Sequence, residues 1–133
     1  MRSYWSVMYV GPHHGVFIKK LERLASFHVQ ELERERFIWD DEKVECSCFY
    51  VEHDANCWDD LVLEILQVAR NIFPCWNVTI GKDEMHGETS KNLDGSSAEY
   101  QQRISGHRNI QWTIKKSQSY ARMKWLNGQA DKW

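Results

Sequence analysis

Apolar residues change their spacing several times along the chain, and each change marks an element. Tyr4-Trp5-Ser6-Val7-Met8-Tyr9-Val10 is a β-prone run closed by the breaker pair Gly11-Pro12, so it reads as a strand. Ile18, Leu21, Ala25, Val29 and Leu32 then recur every three to four residues, which predicts an amphipathic helix over about residues 15–34. Two β-prone segments follow, 36–39 and 44–51, on either side of the polar run Asp40-Asp41-Glu42-Lys43; that pattern predicts a hairpin. Trp58, Leu61, Val62, Ile65, Leu66, Ala69 and Ile72 return to helical spacing until Pro74.

Residues 75–80 and 110–114 alternate as strands. The polar stretch at about 82–109 reads as a long loop holding at most a short helical turn near 97–104. Residues 119–127 close the chain as a short helix before Gly128. Helices interleaved with antiparallel pairs predict an α+β fold: a two-layer sandwich, mainly antiparallel sheet with two main helices on one face.

Composition adds little to this picture. A chain of 133 residues, 42% hydrophobic and 27% charged, is the size and make-up of a single domain with its own core. No apolar run is long enough for a membrane helix. The first residues lack the cleavage pattern of a secretory leader, so four cysteines imply reduced thiols and a cytoplasmic location.

Charge changes more. Between Glu31 and Asp60 lie eleven acids (Glu31, Glu33, Glu35, Asp40, Asp41, Glu42, Glu45, Glu52, Asp54, Asp59, Asp60) and three bases (Arg34, Arg36, Lys43), a net of −8. Six bases against one acid give residues 107–133 a net of +5. Such asymmetry bears on partners rather than on fold.

Candidate chemistry is sparse. Cys46, Cys48, His53 and Cys57 are zinc-ligand types, but Cys46-Ser47-Cys48 sits in an alternating strand, where both thiols share a side with Val44 and Tyr50 and read as buried core. Cys57 with His53 is the one nucleophile–base pair close in sequence, yet Asp54, Asp59 and Asp60 surround it and disfavour a thiolate. His13-His14 reads as a solvated turn, and Asp83 to Glu88 lacks calcium-loop spacing. No phosphate-binding glycine loop, nucleophile elbow or zinc-protease signature occurs. Trp112, Lys115, Lys116, Tyr120, Arg122, Lys124 and Trp125 mix bases with aromatics, as a single-strand binder does, but a pI of about 6.3 argues against nucleic acid.

The residues therefore point to a protein-binding inhibitor and not to an enzyme, with no cofactor and no metal. The expected surface is acidic and aromatic: Trp39, Asp40, Asp41, Glu42, Glu52, Asp54, Trp58, Asp59 and Asp60. Its expected partner is a basic toxin or effector domain, as for an immunity protein that neutralises a nucleic-acid-targeting bacterial toxin. A viral inhibitor of a host defence protein obeys the same physics. A small enzyme or metal-binding protein using the cysteines and histidines is the alternative of a different class.

Overall fold

A computed structural model describes residues 1–9, 14–39, 41–89 and 107–118. The order is β1 (Arg2–Tyr9), α1 (His14–Ala25), β2 (Gln30–Trp39), β3 (Glu42–Glu52), α2 (Trp58–Ile72), β4 (Trp76–Ile80), β5 (Glu84–Thr89) and β6 (His107–Lys115). The strands form one antiparallel sheet in the order β2-β3-β1-β6-β5-β4. The class is α+β, and both helices contribute to one core on one face. Each helix links two parallel strands that are not neighbours, so β1-α1-β2 and β3-α2-β4 are split β-α-β units, as in ferredoxin-like domains. β6 takes the place beside β1, and the β4–β5 hairpin widens the sheet beyond it.

Two expectations change. The first helix ends at Ala25, not near residue 34, because Ser26 turns the backbone left-handed (φ 56) and residues 30–39 pair with β3 as an edge strand. Leu32 only coincides with helical spacing: it sits on that strand, 42% exposed. The stretch at about 82–109 opens with a strand, Glu84–Thr89, and ends within β6. The readings at 97–104 and 119–127 lie outside the described residues.

The helix-facing side of the sheet carries Trp5, Val7, Tyr9, Phe49, Val51, Ile110, Trp112 and Ile114, which pack with Leu21, Leu61, Ile65 and Ala69 of the helices. Trp5 stacks on Phe49 at 6.2 Å, and Phe27 and Trp76 meet it edge-on. Gly87 is a built part of this core: a Cβ there would meet the Trp112 ring at 2.3 Å, so only glycine lets the indole lie across β5.

Alternation along β3 puts Glu45, Ser47, Phe49 and Val51 toward the helices, and Val44, Cys46, Cys48 and Tyr50 on the other side. The thiols are buried, as the alternation suggests, but they do not belong to the helix-side core. All six residues from Val44 to Phe49 are buried, so β3 is covered on both faces there.

Candidate functional site

The sheet brings the second and fifty-second residues of the chain together. Arg2 pairs with Glu52 across β1 and β3, through both the backbone and a guanidinium–carboxylate bond, and the Arg2 guanidinium stacks on Tyr50 at 4.3 Å. Just beyond, the His53 N–H donates to the Met1 carbonyl at 2.8 Å.

His53 itself turns inward, between strand and helix. Its Nε2 lies 2.5 Å from the Ser3 hydroxyl and its Nδ1 lies 2.8 Å from a Glu64 carboxylate oxygen, while the Trp5 indole N–H donates to Ser3 Oγ at 2.8 Å. One tautomer of a neutral imidazole satisfies every group: the Ser3 O–H donates to Nε2, and Nδ1–H donates to Glu64.

These residue types and these ring nitrogens match a nucleophile–base–acid relay. The surroundings do not. Ser3 is 0% exposed and its oxygen already accepts the indole N–H, so no substrate can approach it. The relay instead ties the first strand, the end of β3 and α2 into one unit. Ser3 and Glu64 carry no sequence signal for this role, since Ser3 stands 50 positions and Glu64 11 positions from His53.

The expected acidic surface divides in two. Asp41 is exposed at the β2–β3 turn with φ 60, where Trp39 and Glu42 stand opposite each other in the ladder; Asp40 lies outside the described residues. Glu52, Asp54, Trp58, Asp59 and Asp60 gather at the opposite end of β3. The ten residue steps of that strand separate the two zones by about 33 Å. Glu45, counted in the same acidic run, is buried: Arg34 and Arg36 reach it at 3.2 and 3.4 Å, and the Tyr9 hydroxyl bonds to it. Burial, with the Glu45 charge second, pushes the Tyr9 phenol well above its ordinary range.

At the α2 end the acids stand open. Asp59 and Asp60 occupy the first helical turn, where their charge favours the positive helix end, and Asp54 precedes the helix. All three are exposed, and no ion pair among the described residues engages them. Trp58 lies among them, half-buried, with the Lys116 ammonium 5.5 Å from its ring centre.

Other candidates separate. Ser6 contacts Cys46 and Cys48 at 3.4 and 3.5 Å on the far face of the sheet, while His53 is held in its relay and Cys57 is exposed at the start of α2. A hydrogen bond with Cys48, followed by burial, pushes the Cys46 thiol far up. Among the described residues no cluster of three His, Cys, Asp or Glu could hold a metal. The Asp83–Glu88 acids are largely occupied across the sheet: Glu84 faces Lys115, and Glu88 accepts from Gln111. Trp112, read as part of a basic–aromatic tail, is fully buried, and Tyr120, Arg122, Lys124 and Trp125 lie outside the described residues. Among the described residues no helix is long and apolar enough to cross a membrane. No family model, no curated protein and no solved structure matches the chain.

Proposed function

We propose that the chain is a small protein-binding inhibitor that holds a cationic partner at the α2 end of the sheet. The observation carrying this reading is the set Asp54, Asp59 and Asp60, exposed around the half-buried Trp58 and engaged by no ion pair among the described residues. A half-buried indole supplies apolar contact at little entropy cost, and acids of one sign around it speed the approach of a basic surface. A toxin domain that cleaves nucleic acid presents such a basic cleft, which makes a cytoplasmic immunity protein the subclass that fits this chemistry. The Asp41 turn, about 33 Å away along β3, belongs to a different zone, so one partner of ordinary footprint covers the α2 end alone.

The test uses the wild type and Asp54→Lys/Asp60→Lys as paired baits in extract of the native host. A basic protein retained by the wild type, released by salt, missing from the variant and inhibited by added wild type is the expected result. Identical captures on the two baits would overturn the proposal.

A further inference from the structure

Among the described residues five large apolar side chains are exposed: Leu32 42%, Leu63 68%, Leu66 38%, Val78 38% and Ile80 75%. Two of them, Leu63 and Leu66, share the outward side of α2. At 3.6 residues per turn, Asp59, Leu63, Leu66 and Arg70 of α2 lie within about 60° of one another around the helix axis. Glu64 fixes which way that stripe points, because it reaches His53 at the end of β3. Leu63 and Leu66 lie about 100° and 160° around the helix from Glu64, on the side opposite the buried Leu61, Ile65 and Ile72, so the stripe faces outward from the sheet. The C-terminal end of α2 is tied to β4 by the Trp76 indole N–H, which bonds the carbonyls of Ala69 and Phe73 at 2.9 and 2.7 Å. On β4, Val78 and Ile80 share the helix-facing side, opposite Gly87 and Met85 of β5.

The two edges of the sheet differ. β2 carries Glu31, Glu33, Arg34, Glu35 and Arg36, the kind of charge that keeps an edge solvated, whereas β4 (Trp76–Ile80) has no charged residue.

The stripe is complementary to itself. A twofold axis midway between positions 64 and 65 would run two copies of α2 antiparallel. Asp59 then faces Arg70 of the second copy, and Leu63 faces Leu66 of the second copy, each contact made twice. Neither Asp59 nor Arg70 has an opposite charge three or four places along its own helix, and no ion pair among the described residues engages either.

We propose that this outward stripe is a homodimer interface, with α2 packed antiparallel on α2 of a second copy. The contact from Asp59 to Arg70 is only about 17 Å long, so it lies at the small end of specific interfaces and the dimer is reversible. It shares Asp59 with the proposed partner surface but uses neither Asp54 nor Asp60, so Asp54→Lys/Asp60→Lys should leave the dimer intact and the two proposals fail separately.

Sedimentation equilibrium on the full chain from about 1 µM to about 1 mM tests it, with a dissociation constant on the order of 10–100 µM expected. Leu63→Glu/Leu66→Glu is expected to weaken the dimer about a hundredfold. Arg70→Asp alone is expected to weaken it about tenfold, by setting two acids against each other, and Asp59→Arg/Arg70→Asp to restore it to within about threefold. A monomer throughout would overturn the proposal. So would a dimer insensitive to the leucine change, or a charge exchange no tighter than the single variant. The charge variants alter exposed positions and keep the test decisive should the leucine variant fold poorly.

Discussion

Glu64 and Asp60 lie one turn apart on the same helix, yet the protein treats them differently. Glu64 accepts a hydrogen bond from a buried histidine and so joins α2 to the first strand. Asp60 projects into solvent and is engaged by no ion pair among the described residues. Glu45 and Asp41 repeat the contrast at the other end of β3, where the first is enclosed by Arg34, Arg36 and Tyr9 and the second stands exposed on the turn. The total of acidic charge therefore says little about recognition. What matters is which acids the fold has already used.

That contrast predicts its largest effect at His53. His53→Ala removes the bridge between Ser3 and Glu64 and leaves a buried hydroxyl poorly paired. A loss of about 3 kcal/mol in urea unfolding is expected, or roughly 10 °C in melting temperature. A loss below about 1 kcal/mol would mean the relay is ornamental.

A second effect follows from pH. Tyr9 and Cys46 ionise less readily in the folded chain than in the unfolded one. Their stabilisation is complete below the unfolded values, about 8.5 for cysteine and 10 for tyrosine, and declines as pH rises beyond them. The urea midpoint should fall between pH 8 and pH 11, and Tyr9→Phe should flatten the upper part of that fall. A flat profile in the wild type would contradict the enclosure of these groups. Smaller still, Glu64→Gln keeps an acceptor oxygen for Nδ1–H and should cost only about 1 kcal/mol by the same unfolding measurement.

The sequence made part of this legible. The strand at Tyr4, the hairpin turn near Asp41 and the helix through Leu61, Ile65 and Ala69 follow from apolar spacing, and they delimit β1, β3 and α2 well. Only the end of β2, residues 36–39, was legible as a hairpin strand; its start was hidden because Gln-Glu-Leu-Glu-Arg-Glu lacks a period-two apolar side, and Leu32 happened to continue the helical spacing. β5 was hidden because one of its inward positions is Gly87, where the Trp112 ring stands in for a side chain. Cys46 and Cys48 were read as core because alternation cannot tell which face of a doubly covered strand meets the helices. Of the site, the individual acids were legible. Their division into two zones was not, because that depends on β3 continuing unbroken from Glu42 to Glu52 between them. Ser3 and Glu64 join His53 only through tertiary placement.

The central claim is that Asp54 and Asp60 have little folding duty and are free for a partner. Thermal unfolding of Asp54→Lys/Asp60→Lys, run beside His53→Ala, tests it most directly. Reversing both acids is expected to shift the melting temperature by no more than about 4 °C, roughly what a loss of up to 1 kcal/mol of helix-end charge allows. A fall comparable to that of His53→Ala would show that these acids hold the fold together, and would contradict the account.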